Sequence, residues 1–195
     1  MQNCSDLTSR QVWKPGTMVY PAPAVLVSCG STPETANLFT VAWTGTICTN
    51  PAMLSISVRP ERHSYGIICY EMQFTVNLTT VEMAKAVDWC GVRSGRDFNK
   101  WKETGLTCAQ GVKNSCCYVA ESPLAIECRV REIIKLGSHD MFIAEVLSLL
   151  ADEKYIDTST GKFDLERAGL LAYSHGGYFP LGNKIGHFGF SVRKK

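Results

Sequence analysis

The sequence predicts a mainly β fold in a single domain, and three observations carry that reading. Residues 37–64, NLFTVAWTGTICTNPAMLSISVRPERHS, hold two segments rich in Thr, Val, Ile and aromatic residues with turn chemistry between them. Residues 123–136 set Ile126, Cys128 and Val130 between Glu127, Arg129 and Arg131, the period of two that a sheet with one wet face produces. Helical signals are short and few. The 195 residues suffice for one sizeable core, and neither a repeat nor a linker divides them, so residues 1–195 are read as one domain.

In chain order, residues 1–20 read as an extended lead-in, and the apolar run 24–29, bounded by Pro23 and Cys29-Gly30-Ser31, as a strand. Residues 38–47 form the next strand, Thr49-Asn50-Pro51 the turn, and Met53, Ile56 and Val58 continue in a third whose other positions, Ser55, Ser57 and Arg59, are small or polar. Pro60 stops pairing because it has no N–H to give. Ser64 stands where it can cap a short helix over 65–70. Residues 73–78 alternate as a strand, and Thr79 with Glu82 reads as a capping box opening a helix that Gly91 ends. Residues 94–101 read as a polar turn and a short helical piece, 105–115 as loop, and 116–120 and 123–136 as strands. Gly137-Ser138-His139-Asp140 is a turn. Residues 141–150 fit a helix or a buried strand, with Phe142, Ile143 and Val146 favouring the strand. In the Gly- and aromatic-rich tail, residues 173–180 read as a loop that lines something.

Composition excludes several classes. Hydrophobic residues make up 45% and charged residues 19%, a globular balance. A net charge of +2, with no basic run beyond Arg193-Lys194-Lys195, argues against a nucleic-acid partner. No apolar stretch reaches the roughly 20 residues of a membrane helix, and the N-terminus lacks a signal-peptide pattern, so a cytoplasmic protein is expected. Nine cysteines stand at irregular spacings, from Cys4 to Cys128, without a C-x-x-C, so no metal site is signalled. Cys29, Cys48, Cys69 and Cys90 read as small core residues in a reducing compartment, and Cys116-Cys117 as the pair to watch for reactivity.

The chemistry concentrates around residues 40–64. A helix N-terminus beside Arg59 and Arg62 suits a phosphate monoester, whose oxygens match a guanidinium fork. Trp43 and Thr40 on the preceding strand add an aromatic face and a small polar group, so a phosphorylated aromatic ligand is expected. The alternative is that Arg59 and Arg62 form a solvated rim and that Lys100 lies in water on a surface helix.

Four stretches in one order resemble a known family. They are residues 23–64, Ser94-Gly95-Arg96-Asp97 with Lys100, Gly137-Ser138-His139-Asp140 with residues 143–146, and Tyr173 with Gly176-Gly177-Tyr178. Over residues 14–186 they resemble the flavin reductase-like proteins of the FMN-binding split β-barrel, in particular the flavoredoxin branch. The resemblance implies a six-stranded antiparallel Greek-key barrel with flanking helices, in a homodimer that holds FMN non-covalently near its interface. It also makes residues 139–150 mostly strand. Asn37 and Trp43 match the family's N-x5-W. Thr40, Val41, Ala42 and Trp43 are then expected against the flavin ring, and Ser57, Arg59 and Ser64 along the ribityl phosphate. Lys100 matches the lysine after S-G-R-D, its charge suiting phosphate or a flavin oxygen. His139, in the G-[DS]-H turn beside the flavin, is the candidate catalytic residue. Tyr173 and Tyr178 fall where the family has aromatics, and Arg62 has no counterpart.

The function so implied is an FMN oxidoreductase that takes electrons from NAD(P)H and passes them to free flavin, ferric iron or a redox protein. No G-x-G-x-x-G is present, so the nicotinamide would stack directly on the flavin. An electron carrier between protein partners is the alternative. A barrel that binds another ligand, or a metal through Cys and His, is the third.

Overall fold

The computed structural model describes residues 10–32 and 34–192; Cys4 and the basic tail 193–195 lie outside the described residues. Strands β1 (Ala22–Pro23), β2 (Val25–Cys29), β3 (Asn37–Val41), β4 (Thr44–Thr49) and β5 (Ala52–Val58) lead into helix α1 (His63–Glu71). After β6 (Gln73–Asn77) come α2 (Ala84–Val92) and α3 (Lys100–Thr104). Three hairpins follow: β7 (Cys108–Gln110) with β8 (Cys117–Val119), β9 (Leu124–Lys135) with β10 (Asp140–Ala151), and β11 (Leu171–Ser174) with β12 (Gly177–Pro180).

Seven strands form one antiparallel sheet in the order β3-β2-β6-β9-β10-β5-β4. Its two edge strands, β3 and β4, are consecutive in the chain and joined only by Ala42 and Trp43. The sheet must therefore curl until its edges meet at that corner, where the Ser57 amide donates to the Trp43 carbonyl at 2.9 Å. Counted as one bent strand, residues 37–49 give the six strands of a split barrel; the ladder counts them twice because each half pairs with a different neighbour. Strands β5 and β6 are not neighbours, and α1 carries the chain between them as the Greek-key crossing. The 12-residue strand β10 bends at irregularities between Ile143 and Ala144 and between Val146 and Ser148.

The strand period sorts side chains onto two cores. Val27, Phe39, Ile56, Phe74, Cys128 and Phe142 fill the barrel. Leu26, Leu38 and Val119 pack outside it against Val87 and Cys90 of α2. Strand β2 is buried on both faces, which is why VLVSC shows no alternation.

The 141–150 segment is strand, as Phe142, Ile143 and Val146 favour. Several other local expectations give way to tertiary contacts. Ser64 does not cap α1: the N-cap is Arg62, without a side-chain cap bond, and the buried Ser64 hydroxyl accepts from Asn37 Nδ2 at 2.7 Å. The Thr79–Glu82 box is not formed, because the Thr79 hydroxyl donates to the Ala24 carbonyl. Gly91 does not end α2. It lets the helix lie close to β3, where an added Cβ would sit 3.4 Å from that of Thr40. Residues 173–180 are a hairpin, and residues 108–110 within the expected loop are strand.

Glu127 is not on a wet face. It is fully buried, and its carboxylate accepts the amides of Val112 (2.7 Å), Lys113 and Asn114 and the Ser148 hydroxyl. Burial pushes this carboxyl up, but those donors together hold it below the usual range. Cys29 and Cys90 are buried as expected, whereas Cys48 and Cys69 are only partly buried. Cys117 pairs with Cys108 across the β7–β8 hairpin, while Cys116 is a buried free thiol that desolvation pushes up.

Candidate active site

Two adjoining clefts open along β3, the first at the Ala42–Trp43 corner and the second toward Asn37. The first, of about 510 Å³, has an aromatic and apolar wall of Trp43, Phe39, Val58 and Tyr173, with His139 and Arg59 at its edge. The second, of about 500 Å³, is lined by Asn37, Ser64 and Lys100 inside and by arginines outside. Phe39, Arg59, Arg62 and Val92 line both, so the two make one continuous groove.

Each wall is built locally. The indole of Trp43 projects from the bent strand and lies 4.5 Å, centroid to centroid, from the His139 ring at a tilt of 43°. His139 follows the turn Gly137-Ser138, and Ser138 Oγ lies 3.0 Å from its Nδ1. The next residue, Asp140, is buried and accepts the Tyr65 hydroxyl at 2.5 Å, which pins the start of β10 to α1. Burial and then the Arg59 charge push the imidazole of His139 below its ordinary value, so it is neutral at pH 7. The Thr40 hydroxyl donates to the Val87 carbonyl and ties β3 to α2. Strand β1 pairs with β11 and brings Tyr20 and Tyr173 together, 6.2 Å apart, with Tyr178 at 5.6 Å from Tyr173. Burial, with the Asp88 carboxylate beside it, pushes the Tyr178 phenol up to about 12.

In the second cleft Lys100, only 3% exposed, donates from Nζ to the Cys90 carbonyl at 2.7 Å in the last turn of α2. Desolvation, with Arg62 adding to it, pushes this amine down to about 8. The Asn37–Ser64 bond seats the first turn of α1 on β3, and the N–H groups of that turn have no side-chain cap.

All the residues singled out in the sequence line this groove. Thr40, Val41, Ala42, Trp43, Ser57, His139 and Tyr173 face the first cleft, Asn37, Ser64 and Lys100 the second, and Arg59 both. Lys100 lines the second cleft and not the first, and it is a buried amine, not a surface one. Sequence reasoning missed Tyr20 and Asp88 in the first cleft and His63, Arg93 and Arg96 in the second. Arg93 and Arg96 bracket Ser94-Gly95, a signal that was available; Tyr20 had none. Among the described residues no group of three or more His, Cys, Asp or Glu could hold a metal ion. No helix among them is long and apolar enough to cross a membrane.

Residues 17–182 match the family model described as "Flavin reductase like domain". The chain belongs to the flavin reductase-like family. This flavin reductase-like chain is similar to flavoredoxin of Desulfovibrio vulgaris (Miyazaki F), with a TM-score of 0.85 and 25% identity over 94% of this chain and 98% of that one. Its fold is also that of an FMN-binding protein from Thermus thermophilus, at a TM-score of 0.77 and 21% identity, covering 93% of this chain and 99% of that one. An uncharacterized protein of Archaeoglobus fulgidus is 27% identical over 161 residues, 83% of this chain and 88% of its own.

Proposed function

We propose that the groove holds one FMN and that the protein is an FMN-dependent oxidoreductase, passing electrons from NAD(P)H to free flavin, ferric iron or a protein acceptor. The observation that carries this is the junction of an aromatic cleft with a cationic one, which share Phe39, Arg59, Arg62 and Val92. The chemistry of the donor set fits the cofactor. The buried Lys100 amine, held near 8 by desolvation, gains from an adjacent anion, and the uncapped first turn of α1 offers it backbone donors. Both features suit a phosphate. Trp43, Phe39 and Val58 suit a planar ring.

When bound, FMN supplies hydride and single-electron transfer, so no side-chain nucleophile is required. The chain's residues bind and orient. Lys100 and Ser64 would hold the phosphate, Arg59 would bridge the two clefts, and the corner 40–43 would present backbone groups to the ring edge. His139, neutral at pH 7, would act there as a hydrogen-bonding group and not as a fixed cation. Trp43 and Tyr173 would exclude water from one side. A homodimer belongs to the same reading. Trp13, Val19, Ile185 and Phe188, on the two terminal arms, are largely exposed in the single chain and would be covered by a second copy. The site of action proposed is the cytoplasm.

The test is the visible spectrum of protein incubated with FMN and desalted, followed by NADH or NADPH without oxygen. Flavin bands that bleach within seconds are expected. Bands that persist until dithionite is added would make the protein a carrier fed by another protein. A protein that takes up no flavin would contradict the reading.

A further inference from the structure

The cationic cleft carries more positive charge than one phosphate requires. Arg59, Arg62, Arg93, Arg96 and Lys100 line it against a single carboxylate, Glu61. The whole chain has a net charge of only +2, so the excess is concentrated at this mouth. Burial divides the cleft in two. Asn37, Ser64 and Lys100 are 5%, 1% and 3% exposed and form its floor, whereas Arg59, Arg62, Arg93 and Arg96 stand exposed at its rim.

The rim is pre-organised. Arg62 donates to the Gly91 carbonyl at 3.0 Å and Arg96 to the Glu61 carbonyl at 3.4 Å. Arg59 pairs with Glu61 at 3.3 Å, and the Arg93 guanidinium lies 5.5 Å from the centroid of the Phe98 ring. Each fork is held by one contact and keeps donors free. The turn that bears Arg93 and Arg96 is seated on the barrel: a Cβ on Gly95 would lie 2.2 Å from Asn37 Oδ1. His63 stands among them, its imidazole pushed down first by burial and then by the Arg96 and Lys100 charges.

We propose that this rim recognises a second phosphate monoester, the 2′-phosphate of NADPH, and so makes the phosphorylated dinucleotide the preferred electron donor. The inference rests on the FMN reading above, in which the floor takes the flavin's own phosphate. A dianionic monoester matches forked guanidinium donors, and NADH lacks the group. A concave rim of convergent arginines suits a small phosphate better than the flat, wide contact of an acidic protein.

The test is calorimetric titration of the FMN-loaded protein with adenosine 2′,5′-bisphosphate and with 5′-AMP at low salt. The bisphosphate should bind at least about tenfold tighter, the scale of one added charge-assisted contact. In the double variant Arg93→Gln, Arg96→Gln that preference should fall to about threefold or less while FMN uptake, read in the visible spectrum, is retained. Equal affinity for the two nucleotides, or a preference that survives the double variant, would overturn the inference. Failure of the wild-type protein to take up FMN would instead sink the functional reading, and this inference with it.

Discussion

Replacing Lys100 with methionine should stabilise the ligand-free protein and weaken FMN binding. Lys100 is 3% exposed, and burial brings its amine from 10.5 down to about 8. That difference disfavours the buried ammonium by about 3 kcal/mol at pH 7. The bond from Nζ to the Cys90 carbonyl, at 2.7 Å, offsets about 1–2 kcal/mol of this. Methionine is a comparable apolar volume, so the variant should gain about 1–2 kcal/mol, a rise of roughly 2–8 °C in Tm for a chain of this size. The pH dependence has a definite sign. Between about pH 8 and 10.5 the unfolded chain keeps a proton that the folded one has released, so wild-type stability should rise across that window and the variant's should not. FMN binding should lose about 1.5–3 kcal/mol, a charge-assisted contact to phosphate, while riboflavin binding should hardly change. Thermal unfolding of both ligand-free proteins and fluorescence titrations with both flavins check this. A variant that melts lower than wild type, or that loses FMN and riboflavin alike, would mean that Lys100 is neither a costly buried ammonium nor a phosphate ligand.

Three further perturbations follow from the same geometry. FMN affinity should fall by up to about tenfold per pH unit above pH 8 as the Lys100 amine deprotonates, while riboflavin affinity stays flat, as titrations at a series of pH values would show. Trp43→Ala should weaken FMN binding by about 1–3 kcal/mol through loss of the aromatic wall, and unchanged affinity would remove Trp43 from the site. Glu127→Gln should cost about 1.5–3 kcal/mol of stability in urea denaturation at pH 7, because one face of the amide cannot accept the converging donors. The wild-type carboxyl is held below its ordinary 4.5, so its contribution is present above that value and is lost as pH falls through the lowered one; the variant should lack this acid-sensitive step.

Much of the fold was legible because it is written locally. The period of two gave β6 and β9, and Asn50-Pro51 gave the turn between β4 and β5; on β5 the inward face is Leu54, Ile56 and Val58, with Met53 outside it. What local pattern misjudged was decided by distant partners. Ser64 and Thr79 have the hydroxyls of helix caps, but Asn37 and the Ala24 carbonyl engage them from other strands. Glu127 alternates like a surface residue, yet the loop 112–114 folds over it with its amides pointed inward. The 108–117 pairing needed a hairpin that a polar, Gly-containing stretch does not announce. The residues that line the groove were legible through the family resemblance more than through periodicity. Their separation into an aromatic and a cationic cleft was not, since it depends on how β3 bends at Ala42–Trp43 relative to α1 and α2.

Binding of one flavin across both clefts, with its phosphate on the buried floor, is checked by comparing FMN and riboflavin. Both should be titrated into the ligand-free protein at pH 7 and low salt, with quenching of flavin fluorescence as the readout. FMN is expected to bind at least about a hundredfold tighter, because only it carries the group that Lys100, Ser64 and the first turn of α1 would hold. Equal affinities would contradict the account.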